Sequence, residues 1–271
     1  MNEAIRTQMG KAPNRKLYFT TITVIVLALL IWSFLGVDVT GLDKKGTGLA
    51  VNIVKGIVAP DLEFLFDFSS QGVAYLLYET IAIAFLGTIF GSLLAIPISF
   101  LMAPSVVSGP VAYITRLFVI FIRTIPSLVY GIMFIRVTGP GAYAGVLTMS
   151  ITSIGMISRL YVDVIENLDR GVLEAMTSMG CTTYEKIRYG ILPQLFSSFL
   201  STTIYRFDMN LRDATILGLV GAGGIGAPLI FAMRSYRWNQ VGAILIGLVI
   251  LILVVEVISN KLRSRLVSGT N

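Results

Sequence analysis

The stretch EAMTSMGCTTYEKIRYGILP, Glu174 to Pro193, is a polar, helix-capable island set between long apolar segments. From Gly171 to Met179 the residues are mostly good helix formers. Gly180 then supplies a residue free to adopt the positive φ that turns a chain out of a helix. Thr182, with Glu185 three residues later, is in capping-box register for a second short helix. Pro193 suits the first turn of the apolar helix that follows, where a missing N–H is no loss. Two short helices on a tight hinge would present a compact knob to a partner's groove. The plainer reading of the same residues is an amphipathic loop between two membrane spans.

That island matters because most of the rest is apolar. The chain has 271 residues, 55% hydrophobic and 13% charged, far from the soluble average. A single membrane-embedded domain is the reading this supports. Cys181 is the only cysteine, which excludes an internal disulfide and suits a reducing compartment. There is no histidine, so histidine-based metal sites, Ser-His-Asp triads and phosphohistidine chemistry are excluded, and no metal site is predicted. The net charge of +6 could suggest nucleic acid, but the basic residues gather at the flanks of the apolar runs. They read as interfacial anchors, with the lipid bilayer as partner and no nucleic acid.

Taken in order, residues 1–16 form a basic cytoplasmic head carrying Arg6, Lys11, Arg15 and Lys16. Residues 17–37 are uncharged and long enough to cross a bilayer at ~1.5 Å per residue. The run is too long for a signal-peptide core and Ser33-Phe34-Leu35-Gly36 is a poor cleavage site, so a retained first span is predicted. Residues 38–72 read as an extracytoplasmic connection of mixed charge, containing Gly46, Gly48, Gly56 and Pro60 and too polar to cross, with Phe64, Phe66 and Phe68 lying at the outer interface.

Residues 73–265 form the core, with five further spans. The second ends near Met102 and contains a GxxxG pair, Gly87 and Gly91, suited to close helix packing. The third runs from about Arg116 to Val137, kinked at Pro126. An outer turn at Thr138–Gly141 leads to the fourth, Ala142 to Ser158. The polar loop, 170–193, is cytoplasmic. The fifth span begins at Pro193, the sixth covers Trp238 to Val255, and 266–271 form a cytoplasmic tail. Residues 214–233 would score as an extra span by hydropathy. Their glycines, and a basic C-terminus that an extra span would place outside, favour instead the end of span five, an irregular turn and a short outer helix. Six spans with both termini cytoplasmic is the expectation.

The run Gly221 to Gly226 fits G-x-G-x-x-G, yet it lacks the preceding strand and following acid of a dinucleotide site. Gly221, Gly223, Gly224 and Gly226 are better read as a bend or gate. No phosphate-loop motif occurs, so the chain is not its own ATPase. The informative charges are those inside the spans. Arg206, Asn210 and Asp213 share a helix face, while Asp208 and Arg212 pair at i, i+4 in the favourable order. A self-neutralising set that pins helix packing suits Asp208 with Arg212. Arg206 either packs or lines a polar pathway, with Asp213 too distant for an ideal helical ion pair. Arg123 has no local partner and must snorkel, find an acid elsewhere or face that pathway. The pathway candidates are Arg123, Arg206, Asn210, Arg212 and Asp213, and guanidinium forks suit a phosphate-like solute.

Two sets of residues carry a family resemblance. The spacing of Glu174, Ala175, Gly180, Leu192 and Pro193 resembles the EAA loop of ABC-importer permeases, with Met176 in place of the third motif residue and Gly190 where isoleucine is usual. The runs RTIPSLVYGIMF (Arg123–Phe134), YGILPQ (Tyr189–Gln194) and IYRFDMNLRDATILGLVGAGGIG (Ile204–Gly226) resemble the permease of phosphonate ABC importers, and Pro60-Asp61 and ETIAIAFLGT from Glu79 extend the likeness. The resemblance implies an all-α integral membrane bundle of six transmembrane helices, of the type I importer permease kind, in a prokaryotic cytoplasmic (inner) membrane. It implies a homodimer, two cytoplasmic ATPase subunits that hold ATP and Mg, and an extracytoplasmic binding protein delivering a phosphonate or a related phosphorus oxyanion. Glu174, Ala175, Met176, Gly180, Leu192 and Pro193 would then couple to the ATPase. No cofactor is expected in this chain and no catalytic residue. The alternatives are an integral-membrane enzyme using Arg206, Asp208 and Asp213 on a lipid phosphate, an ABC permease for a different small solute, or an autonomous channel.

Overall fold

A computed structural model describes residues 16–36 and 44–268, and among these every regular element is helical. The basic head, the start of the 38–72 connection and the end of the tail lie outside the described residues. The chain divides into two compact units, Met1–Val51 and Asn52–Asn271, each considered on its own. The first contains α1, Lys16–Gly36, a uniformly apolar helix long enough to cross a membrane. Thr20, Thr21 and Thr23 return their hydroxyls to carbonyls one turn back, which leaves α1 without an exposed polar demand along that stretch.

Helix α2, Lys44–Val58, occupies much of the mixed-charge connection. Gly46, Gly48 and Gly56 each weaken a helix by roughly 1 kcal/mol relative to alanine, which neighbouring valine, isoleucine, leucine and lysine overcome over 15 residues. Beyond Pro60, α3, Leu62–Leu65, is a single turn capped by Asp61, whose carboxylate accepts from the Phe64 amide at 3.0 Å. Phe66 and Phe68, just past it, are exposed.

The bundle is built on α4, Val73–Met102, and α7, Ala142–Glu166. Lipid is as apolar as leucine, so helices in a membrane associate through close packing and shared polar groups rather than through hydrophobic burial. The Gly87/Gly91 pair is where α4 meets α7. A Cβ on Gly87 would stand 2.2 Å from the Met149 Cβ, and one on Gly91 would stand 2.5 Å from the Ser153 Cβ. Around this seam Ile83, Ala84, Met149, Leu211, Ala214, Leu217 and Ala222 form one continuous core. Tyr161 of α7 stacks on Phe199 with ring centroids 3.8 Å apart and shares a 2.7 Å hydrogen bond with Thr203.

Between α4 and α7 the third apolar segment is two helices, α5 (Gly109–Thr124) and α6 (Ser127–Thr138), bent by 82°. The sequence predicts one kinked span here, and the structure corrects this to a break. Pro126 is the N-cap of α6 rather than an interior residue, and Ile125 before it is extended, as proline imposes on its predecessor. The Tyr130 hydroxyl donates to the Ile122 carbonyl across the break at 3.1 Å, meeting one freed acceptor.

After α7 come α8 (Arg170–Ser178), a short α9 (Thr183–Glu185) and a π-helical turn, Lys186–Ile191, that runs directly into α10 (Leu192–Gly218). The glycine-rich stretch is a tight turn leading to α11 (Gly226–Arg234), and α12 (Trp238–Ser268) closes the chain. Four described helices (α1, α4, α7 and α12) are long and apolar enough to cross a membrane, or five spans if the bent pair is one. Helix α10 is 27 residues long but carries Arg206, Asp208, Arg212 and Asp213 through its second half.

Candidate functional site

Arg206, Asp208 and Asn210, in the charged half of α10, are buried. Arg206 is only 5% exposed, and Asn210, one turn on, is 0% exposed. Arg206 donates Nε to Ser153 Oγ at 3.2 Å, Nη1 to Met156 Sδ at 3.1 Å and Nη2 to Thr152 Oγ1 at 3.4 Å. Its Nη2 also stands 3.9 Å from Asp213 Oδ2, an ion pair without a hydrogen bond. The expectation that Asp213 lies too far away is thereby corrected. Side chains lean toward a helix's N-terminus, so Asp213 tilts back toward Arg206 and the long arginine stem covers the rest.

Asn210 extends the network to α4. Its amide donates to Thr88 Oγ1 at 2.8 Å and to Ser153 Oγ at 2.7 Å. Thr88 spends its own proton on the Ala84 carbonyl, which leaves its oxygen free to accept. Ser153 therefore receives both Arg206 and Asn210. The Asn210 Oδ1 has no protein partner. Thr88, Ser153, Arg206, Asn210 and Asp213 thus form one polar chain linking α4, α7 and α10. The serine and threonines were missed in the sequence because such residues are common in membrane helices and only the fold selects these.

The other charges divide differently. Asp208 is buried and pairs with Arg212 at 3.2 Å, and Arg212 reaches Glu256 of α12, also at 3.2 Å. Arg212 is therefore a tie between α10 and α12 rather than a member of the Arg206 network. Arg123 is exposed near the α5–α6 break, its stem against Gly155, and no ion pair forms there among the described residues. Among those residues there is also no cluster of metal-ligating side chains.

Gly221, Gly223 and Gly224 all have positive φ, and a Cβ on Gly226 would stand 2.3 Å from the Thr215 carbonyl oxygen. The turn is pinned to the second turn of α4 and to the N-cap of α7. The Ile225 amide donates to Thr80 Oγ1 at 3.0 Å, and the Gly141 amide to the Gly221 carbonyl at 2.9 Å.

The polar loop forms the second locus. Helix α8 is capped by Asp169 and ends in a Schellman arrangement: the Gly180 amide donates to Thr177 O and the Cys181 amide to Met176 O, both at 3.0 Å. Gly180 has φ +78°. The capping box forms, with Glu185 Oε2 accepting from both the amide and the hydroxyl of Thr182 at 2.7 Å. These bonds, the hydroxyl's first, hold the exposed Glu185 carboxyl below its ordinary range. At the base, the Asp169 amide donates to Gln194 Oε1 at 3.2 Å. Glu174, Ala175, Gly180, Leu192 and Pro193 are exposed and Met176 is half-buried, alongside exposed Met179, Tyr184, Ile187 and Tyr189. The π-helical turn before Leu192 had no signal in the sequence. Such turns recur at functional positions.

Comparison with known proteins places the chain in a family. Residues 95–268 match the family model for the binding-protein-dependent transport system inner membrane component. The chain is 31% identical over 188 residues to the phosphite transport system permease protein PtxC of Stutzerimonas stutzeri, covering 69% of this chain and 68% of that one. It is 30% identical over 253 residues to the putative phosphite transport system permease protein HtxC of the same organism, covering 92% and 87%. The phosphate-import permease protein PhnE of Mycolicibacterium smegmatis is 35% identical over 190 residues; these cover 70% of this chain but only 36% of that protein, so the chain spans about a third of that relative's length. Among solved structures, the inward-facing MetNI methionine ABC transporter aligns with TM-score 0.61 at 20% identity, over 73% of this chain and 96% of that one, a likeness of fold alone. A bacterial ABC transporter for alginate aligns with TM-score 0.59 at 15% identity over 93% and 99%, again a likeness of fold. The match over residues 95–268, nearly two thirds of the chain, makes this chain a member of the binding-protein-dependent transport system inner membrane component family, an ABC importer permease of the type I fold.

Proposed function

We propose that the chain is the permease of an ATP-driven importer for phosphonates or closely related phosphorus oxyanions. The observation that carries this reading is the similarity to two phosphite permeases, one of them over 92% of the chain. A buried guanidinium in α10 supports an anionic solute, because its planar fork matches oxyanion geometry. Two copies of the chain would enclose the pathway, with Arg123, Arg206, Asn210 and Asp213 lining it and the glycine turn at 221–226 acting as a gate. Arg212, tied to Glu256 of α12, is left out of that set.

Energy would come from two cytoplasmic ATPase subunits holding ATP and Mg, docked on the exposed surface between Glu174 and Pro193. A binding protein would deliver solute from outside, and both termini would be cytoplasmic. Uptake of radiolabelled methylphosphonate, phosphite and phosphate by vesicles containing the permease, its ATPase and its binding protein tests the reading. ATP-dependent accumulation of a phosphorus oxyanion is the expected result. Accumulation of none of the three, in a system whose ATPase is active, would overturn it.

A further inference from the structure

Helix α10 turns a polar face away from its neighbours. Thr202, Tyr205, Arg212 and Asp213 fall on one side of it by helical spacing, and each keeps part of its surface open. Arg212 is 44% exposed despite its ties to Asp208 and Glu256, and Asp213 is 37% exposed beside Arg206. Helix α7 continues this face. Its exposed Asp163, paired with Arg159, lines a cleft of about 410 Å³ together with Ser198 and Thr202. The depth of the face is telling. Asn210 bonds Thr88 at the middle of the 30-residue α4, so Arg212 and Asp213 stand within a turn of that level. The outward residues of the other spans near that depth are apolar: Phe90, Leu93 and Leu94 on α4, and Val249, Leu253 and Val254 on α12.

We propose that a second copy of this chain stands against the α7–α10 face, and that α4 and α12 turn their outer faces to lipid. The inference rests on the permease reading above, which needs two copies, and adds which face they share. Ionisable groups at mid-depth face a bundle interior or a water-filled passage, because hydrocarbon cannot solvate them. Helix α1 cannot supply that environment. Its one charge is Lys16 at the first position, and Thr20, Thr21 and Thr23 spend their hydroxyls on its own carbonyls. An ATPase in the cytoplasm and a binding protein outside do not reach mid-bilayer. A second copy does, and the charges suit it. Arg159 with Asp163, and Arg212 with Asp213, set opposite signs side by side on the same face. A two-fold axis along the membrane normal brings equal depths together, so each cation finds an acid across the axis one turn away or less. The second copy also completes the Arg206 site, since Asp213 stands 3.9 Å from that guanidinium and leaves its open side on this face.

Cysteine cross-linking of the full chain with its ATPase in native membranes tests this, in a Cys181→Ala background and without solute. A short bis-maleimide should join two copies through Thr202→Cys and through Tyr205→Cys, about tenfold more than through Leu93→Cys or Val254→Cys. Thr202→Cys guards against a folding defect in Tyr205→Cys, which loses its contact with the Arg263 guanidinium. Cross-linking through Leu93→Cys or Val254→Cys equal to that through α10 overturns the proposal. So does the absence of cross-linking at all four positions. Solute does not enter the readout, so a cross-linked α10 pair upholds the shared face even where phosphorus oxyanion uptake fails. Uptake accompanied by cross-linking through α12 keeps the transport reading and overturns this one.

Discussion

Asn210 of α10 donates to Ser153 of α7 at 2.7 Å while its other amide hydrogen goes to Thr88 of α4, so one fully buried side chain fastens three helices. Hydrogen bonds between membrane helices contribute on average about 0.6 kcal/mol and reach ~1.7 kcal/mol. Asn210 makes two. Asn210→Ala should therefore lower the thermal midpoint of the detergent-purified protein, by an amount corresponding to about 1–3 kcal/mol once the cavity is included. Asn210→Asp should be worse, since it buries a carboxylate and puts an oxygen where Nδ2 now donates to Thr88 and Ser153. Melting curves followed by intrinsic fluorescence check both, and wild-type midpoints would show that the network contributes nothing to stability.

The α4–α7 seam gives a second prediction. Gly87 and Gly91 have no room for a methyl group, with Cβ positions 2.2 and 2.5 Å from atoms of Met149 and Ser153. Overpacking of this kind costs about 1–3 kcal/mol when neighbours can yield. Here the obstructing atoms are Cβ atoms fixed to a helix backbone, so the upper end is expected. Gly87→Val should not accumulate as folded protein, while Gly87→Ala should accumulate at reduced level. Size-exclusion profiles of fluorescently tagged variants measure this directly.

Local features of the chain were legible because local rules govern them. Gly180 at positive φ, the Thr182–Glu185 capping box and the start of α10 beside Pro193 all depend on residues within one turn of each other. Features set by other helices were not. Arg206 has Thr152, Ser153 and Met156 as partners, 50 to 54 positions away along the sequence, and no periodicity on α10 announces them. Its ion pair with Asp213 escaped for another reason: helical spacing locates Cβ atoms, not the far end of an arginine. At Pro126 the residue types mark a kink, but an 82° break depends on what α5 and α6 pack against.

At the polar loop, Gly180→Val should uncouple transport from ATP hydrolysis. Nothing lies within 4 Å of a Cβ there, so the obstacle is the positive φ alone, which costs an L-residue roughly 1–2 kcal/mol. Asparagine tolerates that conformation, and Gly180→Asn should retain most of the uptake. Comparing ATPase activity with solute uptake in vesicles separates coupling from folding. Normal uptake by Gly180→Val would remove the hinge from the mechanism.

The same loop should loosen at acid pH. Because the Glu185 carboxyl is held below its unfolded value, its contribution is fully present above about pH 4.3 and is lost as pH falls through the lower folded value. Hydrogen exchange at the Thr182 amide, which donates to Glu185, should accelerate beyond the intrinsic rate change across that window. Glu185→Gln should abolish the pH dependence while keeping an acceptor. Equal protection factors above and below the window would contradict the assignment.

Arg206 separates the two roles that its surroundings allow. A lone arginine near mid-span costs ~2.5–3.5 kcal/mol on insertion scales, and here that cost is offset by Asp213, Ser153, Thr152 and Met156. Arg206→Gln removes the cation and leaves Asp213, 37% exposed, without its nearest positive charge. That variant alone is ambiguous, because lost transport could follow from a misplaced carboxylate. The double variant Arg206→Gln/Asp213→Asn resolves it by removing both charges while keeping shape and hydrogen-bonding capacity. A purely packing role predicts that the double variant recovers both thermal stability and phosphonate uptake. A pathway role predicts recovered stability with uptake still reduced, on the order of tenfold for one lost charge-assisted contact of about 1.5 kcal/mol. Arg206→Lys then restores uptake only in part, since a point charge replaces a fork that grips two oxygens. Substrate-stimulated ATPase activity should follow uptake through the series, and binding must stay weak enough for release. Full uptake by the double variant would place Arg206 in the scaffold, and the anion would then have to be met elsewhere, with Arg123 at the α5–α6 break as the remaining exposed guanidinium on the proposed pathway.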